Sequence, residues 1–414
     1  MPKSRKKSNY TRSTDCNQCQ LTERSNPPER SNQPGQNNQQ SAIMKEPWID
    51  ALSRRDLLCR GITGLVLFPS VVNCSLVSCQ AAWAFAQDQE APAGSKNASQ
   101  SDSKGVGYFA PRKLDMKFGM KFNSNDNFCT NLFATLAFPT DWPEQTVQIK
   151  QSNIPPNAQW QYRDLPPNAP VTARQLVMSI PAMQPNSQME LMFEIQIEKS
   201  FISAPTDPSI FVIPKKTPKE LNWFLGNSPL IDAGASDIKR IVKSIKDSKP
   251  VTAWEHVEKI YEWVRENIEY TNGPIRNTRE AMKDKRGDCE EMTGIFIALC
   301  RASNIPARCV WIPNHCYPEF YLEDQEGQGH WIPCQVAGDR QFGQMHEYRP
   351  ILQKGDRFKV PEHNAPQHYL SEFFRCNQRQ VGPRDPEVEP IQDLGPLAQE
   401  IADLQSEARN RNQP

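Results

Sequence analysis

Gly287-Asp288-Cys289-Glu290-Glu291-Met292-Thr293-Gly294-Ile295-Phe296-Ile297-Ala298-Leu299-Cys300-Arg301-Ala302-Ser303-Asn304-Ile305-Pro306-Ala307-Arg308 is the stretch on which the fold turns. Met292, Ile295, Phe296 and Leu299 recur at three- and four-residue steps, which predicts a helix with one core-facing stripe. Its end is marked twice. Asn304 tolerates the left-handed conformation that closes a helix, and Pro306 cannot continue one. Cys289 therefore opens the helix, where unpaired N–H groups and the positive dipole end favour a thiolate. Glu290 and Glu291 in the same turn complement the dipole but oppose that thiolate. A cysteine in this position is a candidate nucleophile.

A nucleophilic thiol needs a base, and the chain has six histidines. His315 lies in residues 310–322, a stretch of strand-forming aromatic and branched side chains that follows the Ile305-Pro306-Ala307-Arg308 turn. Upstream, Val257, Ile260, Tyr261, Val264 and Ile268 share one face of a helix over residues 252–268. His256 falls opposite that stripe and is expected at the surface.

The ordered set of cysteine helix, Ile-Pro-Ala-Arg turn, histidine strand and Gly329-His330-Trp331 turn resembles the transglutaminase-like superfamily over roughly residues 250–345. The resemblance implies an α+β, papain-like core in which a nucleophile helix packs on an antiparallel sheet. It assigns Cys289 as nucleophile and His315 as base, and it places Tyr270 near the site, as an oxyanion contributor or a packing residue. Where the family reads Trp-x-x-x-Asp, this chain reads Trp331-Ile332-Pro333-Cys334-Gln335. A glutamine carbonyl can accept from the imidazole N–H and fix its orientation, but it offers no charge to an imidazolium. Asp339 is the alternative third member, and it requires the loop at Gly338 to fold back. Gln335 is the better placed of the two.

The full chain has 414 residues with 48 acidic and 48 basic side chains. That balance gives no nucleic-acid footprint and no polybasic membrane surface. The first segment, 1–43, is rich in Asn, Gln and Ser and cannot bury a core, so it is expected to be disordered, or to precede a true start at Met44. Residues 44–86 carry Arg54-Arg55, a modest apolar run and Ala84-Phe85-Ala86, the pattern of a twin-arginine-type signal that directs export to the periplasm or beyond. The apolar run is short and interrupted by Pro69, so no stable membrane anchor is expected.

Residues 87–104 read as a linker. Over 105–215, Met189, Leu191, Phe193, Ile195 and Ile197 alternate with polar neighbours, and further strands at 132–138 and 146–149 are separated by a proline turn, which predicts a small β-sandwich. Residues 216–380 hold the transglutaminase-like domain, including an amphipathic face of Ile238, Ile241, Val242 and Ile245. Residues 381–414 are expected to be a mobile tail.

Seven cysteines follow the signal, and an odd number leaves at least one thiol unpaired in an oxidising compartment. Cys300, Cys309, Cys334 and Cys376 are expected to be inert core residues. No standard zinc spacing occurs among them, so neither a metal nor a cofactor is expected. The signal implies export, and the resemblance implies a cysteine enzyme that acts on protein or peptide substrates through a Cys289 thioester, with hydrolysis ahead of cross-linking. A binding module that has lost the aspartate is the competing reading.

Overall fold

The computed structural model describes residues 105–166, 171–380 and 382–399. The expected leading segment, export signal and linker lie outside these residues. The described residues all belong to one compact unit.

Six strands come first: β1 (Gly107–Asn123), β2 (Phe128–Phe138), β3 (Gln145–Asn153), β4 (Gln159–Leu165), β5 (Ala173–Met183) and β6 (Gln188–Ser203). Two short 3-10 turns lead to α1 (Ser236–Asp247), α2 (Ala253–Asn267), β7 (Glu269–Tyr270), α3 (Thr278–Asp284), β8 (Arg286–Gly287) and α4 (Cys289–Ala302). The chain then forms β9 (Ala307–Ile312), β10 (His315–Glu323), β11 (Gly329–Gln335), β12 (Gln341–Phe342), β13 (Gln353–Lys354), β14 (Phe373–Gln380) and β15 (Glu387–Asp393).

One four-stranded sheet has the order β15-β1-β6-β3, and a larger antiparallel sheet runs β12-β11-β10-β9-β13-β5-β2-β14 with β4 on β5. The alternation seen in β6 buries Leu191, Phe193, Ile195 and Ile197 against β1, β2 and β5, so a β-sandwich forms as its two-residue period requires. The two-residue strand β13 joins β9 of the core to β5 of the sandwich, so a single sheet serves both halves. Two expectations need correction here. Residues beyond 380 do not simply trail away, because β15 pairs with β1 over seven residues and Leu397 packs on Leu114. Likewise residues 310–322 are not one strand but part of a hairpin, turned by Pro313-Asn314 with Asn314 at φ 59°. Proline followed by a positive φ suits a type II turn.

At the centre lies α4, buried from Glu291 to Arg301 on all sides rather than along one stripe. α1, α2 and α3 pack around it, and β9 and β10 close the remaining side. The continuous run from Thr293 to Cys300 is the sequence of a helix with no solvent face. Its end is a Schellman motif: Ile305 N–H donates to the Cys300 carbonyl at 2.9 Å and Asn304 N–H to the Arg301 carbonyl at 3.0 Å, with Asn304 at φ 65°. α1 and α2 bury the faces expected of them. His256 does not reach the surface; it is buried with Nε2 at 3.1 Å from Ser303 Oγ, because the crowded end of α4 covers the back of α2.

Buried charges tie the layers together. Arg301, fully buried, spans Asp356 at 2.8 and 3.0 Å, the Ala307 carbonyl at 2.7 Å and the Gly226 carbonyl at 3.1 Å. Lys354 bridges Glu144 of the sandwich at 2.7 Å and Glu319 of β10 at 2.6 Å. Burial alone would raise the Glu144 carboxyl, but Lys354 and Lys199 more than offset it and hold it at about 2. Removing Arg301 would strand Asp356 without its partner. We therefore expect Arg301→Ala to lower unfolding free energy by about 3–5 kcal/mol, read from urea melts, whereas an exposed partner such as Arg240 should be near neutral on replacement.

Candidate active site

Cys289 is the first residue of α4, and a reciprocal cap fixes that start. The Asp288 side chain accepts from Glu290 N–H at 2.8 Å and also from the Glu291 N–H, while Glu291 Oε2 accepts from Asp288 N–H at 2.7 Å. Glu291 Oε1 also accepts from Arg276 N–H at 2.9 Å, so the same carboxylate holds the segment leading to α3. Gly287 leaves room for this. A Cβ there would lie 2.5 Å from Glu291 Cβ, which explains the glycine of the Gly-Asp-Cys run by close approach rather than by a turn.

His315 begins β10, directly after the Pro313-Asn314 turn, and Gln335 ends β11. Antiparallel pairing of β10 with β11 brings the two side chains together, with His315 Nε2 at 3.0 Å from Gln335 Oε1. Since the amide oxygen can only accept, Nε2 is the donor in this bond. The His315 ring lies near enough to the Cys289 thiol to favour its charged form. Cysteine, imidazole and glutamine thus form one chain, drawn from a helix start, a strand start and a strand end. Asp339 stands exposed in the loop beyond and is not the group that holds His315.

Three further residues shape the site and have no local sequence signal. Arg265, in the last turn of α2, donates to the carbonyls of Gln335 at 3.2 Å, Val336 at 3.4 Å and Gly338 at 3.0 Å, clamping the end of β11. Arg349 donates to the Pro313 carbonyl at 3.2 Å and pairs with Glu347 at 2.6 Å, bracing the turn before His315. Cys316 places its Sγ 3.5 Å from the Cys289 carbonyl oxygen, and its thiol contacts the Cys289 thiol. Tyr270 pairs with Gly287 across β7 and β8, near the nucleophile, yet it is exposed and donates its hydroxyl to Asn272 Oδ1 at 3.2 Å, so it is not a buried packing residue. His330 is held by Asp324 at 2.9 Å, and Gly329, His330 and Trp331 lie on β11 rather than in a turn.

Electrostatics reverse one expectation. The neighbouring Cys316 thiol and burial push the Cys289 thiol well above its ordinary range, and His315 pulls the other way without offsetting them. The helix dipole does not produce a resting thiolate, because the thiol is only 6 % exposed and the first turn already carries two glutamates. Cys300, Cys309 and Cys334 are buried, as core residues should be, and Cys376 is half-buried. Among the described residues no three His, Cys, Asp or Glu side chains converge to hold a metal ion, and no helix is long and apolar enough to cross a membrane.

Residues 239–336 match the profile of the Transglutaminase-like superfamily. The chain carries a transglutaminase-like domain. Its matched region runs from α1 to the residue after Gln335 and so contains all three members of the chain above. No curated protein matches the sequence. Among solved structures, a proposed cysteine protease from Cytophaga hutchinsonii aligns at 14 % identity and a TM-score of 0.41, covering 69 % of this chain and all of that one. A proposed protease from Parabacteroides distasonis aligns at 10 % identity and a TM-score of 0.20, covering 51 % of this chain and 63 % of the other.

Beside Cys289 in this transglutaminase-like domain, burial raises the Glu291 carboxyl, and Asp288 adds to the effect, bringing it to about 7 from an ordinary 4.5. The folded state therefore binds this proton more tightly than the unfolded chain does. The resulting stability is present below pH 4.5 and is lost as pH rises to about 7. Unfolding free energy measured from pH 4.5 to 7 should fall with pH in the native sequence, and Glu291→Gln should flatten that part of the curve. An equal decline in the variant would place the titration elsewhere.

Proposed function

We propose that Cys289, His315 and Gln335 form a thiol acyl-transfer centre that opens carboxamide or peptide bonds in protein or peptide substrates. The observation that carries this reading is the His315–Gln335 Oε1 hydrogen bond at 3.0 Å, set beside the Cys289 thiol at the start of α4. Because the resting thiol is protonated, attack and proton transfer occur together: Sγ bonds to the carbonyl carbon as its proton moves to His315 Nδ1. Asp288 occupies the N–H groups of Glu290 and Glu291. Cys289 N–H then remains as the helix-start donor for the oxyanion.

Collapse of the tetrahedral adduct breaks the C–N bond, and His315 returns the proton to the departing amine. A thioester remains on Cys289. Water then attacks it with His315 as base, releasing the carboxylic acid and restoring the thiol. An amine in place of water would give transfer, but hydrolysis needs no second docking site and is the simpler outcome.

One observation favours a binding module without turnover: Gln335 supplies no charge to the imidazolium that each step requires. Alkylation separates the two readings. With limiting iodoacetamide on folded protein, Cys289 should be modified ahead of Cys376, the half-buried thiol, and His315→Ala should slow that reaction by about 10²–10⁴-fold. Labelling of Cys289 no faster than Cys376, or indifference to His315, would contradict catalysis.

A further inference from the structure

Cys316 directly follows the proposed base, and the reaction above gives its thiol no task. Its Sγ lies 3.5 Å from the Cys289 carbonyl oxygen. Its thiol interacts electrostatically with the thiols of both Cys289 and Cys309. The three cysteines share one core at the junction of α4 with the β9–β10 hairpin, beside the proposed base. All three residues are buried, with exposures of 6 % for Cys289, none for Cys316 and 1 % for Cys309.

A nucleophilic thiol with a second thiol in contact is the arrangement in which oxidation of the first is resolved by the second. Cys309 instead directs its sulfur to the Val310 carbonyl at 3.9 Å. Cys129 and Cys376 belong to the sandwich core. Cys316 is therefore the resolving partner that the fold supplies.

We propose that Cys289 and Cys316 together form a site of reversible oxidation by hydroperoxides, closing a disulfide across the nucleophile. This rests on Cys289 being the nucleophile of the preceding section. In the first step His315 takes the Cys289 proton as Sγ attacks the outer oxygen of the peroxide. The O–O bond breaks, an alcohol (or water, from hydrogen peroxide) leaves with that proton, and Cys289 becomes a sulfenic acid. In the second step the Cys316 sulfur attacks the Cys289 sulfur, the S–O bond breaks, and hydroxide leaves as water with the Cys316 proton. The two sulfurs lose two electrons and the peroxide gains two. A dithiol reductant reverses the change by exchange.

The disulfide stops acyl transfer while it lasts, and it shields Cys289 from the sulfinic and sulfonic states that cannot be reversed in this way. Folded full-length protein treated with hydrogen peroxide, then blocked with N-ethylmaleimide and digested, should yield a Cys289–Cys316 cross-linked peptide pair. Dithiothreitol should restore Cys289 labelling. In Cys316→Ser, and in Cys316→Ala as a second variant should serine disturb folding, the cross-link should vanish and Cys289 should pass to sulfinic acid that dithiothreitol does not recover.

A Cys309–Cys316 cross-link, no cross-link, or full recovery in both variants would overturn the proposal. Iodoacetamide labelling of the untreated protein tells the two failures apart. If Cys289 is the fast thiol there and no cross-link forms, only the oxidation site falls. If Cys289 is not the fast thiol, the acyl-transfer reading falls with it.

Discussion

The burial of α4 on every side is the constraint on which the rest of the molecule depends. A helix with no solvent face cannot rotate or slide without opening voids in close-packed surroundings. Its two ends are secured by different means: the Asp288 and Glu291 cap at the start, and the Schellman turn with the buried Arg301 cluster at the finish. Cys289 therefore takes its position from the core itself rather than from a loop. The sheet is held with similar firmness, since β13 links the core strands to the sandwich and Lys354 joins charges from both. His315 and Gln335, on adjacent strands of that sheet, meet the helix start as parts of one rigid frame.

Such burial has an electrostatic consequence. In a dry site a thiolate is costly, and the Cys316 thiol and two first-turn glutamates do not relieve that cost. The Cys289 thiol therefore holds its proton well above the ordinary range, with His315 as the one neighbour that eases its loss. Gln335 orients that imidazole by accepting from Nε2–H but leaves the transient positive charge without a facing carboxylate. The geometry of a triad is present with one charge fewer.

Much of this was legible in the sequence because it is locally coded. Asn304 and Pro306 mark the helix end, the Gly-Asp-Cys run marks its start, and the two-residue alternation from Met189 to Ile197 marks β6. What escaped is set by distant partners. His256 appears exposed on a helical wheel, yet the end of α4 covers it. β15 lies in a proline- and charge-rich stretch whose strand character comes from pairing with β1. Arg265 and Arg349 act on carbonyls tens of residues away, and the contact of Cys316 with Cys289 exists only once β10 packs on α4.

The wiring of the site can be tested without knowing the substrate. Nitrogen-15 NMR of histidine-labelled protein at neutral pH reports which ring nitrogen of His315 holds its proton. The account predicts the Nε2–H tautomer, with Nδ1 unprotonated and perturbed when Cys289 is alkylated. A Nδ1–H tautomer, or a ring unaffected by Cys289 alkylation, would contradict it.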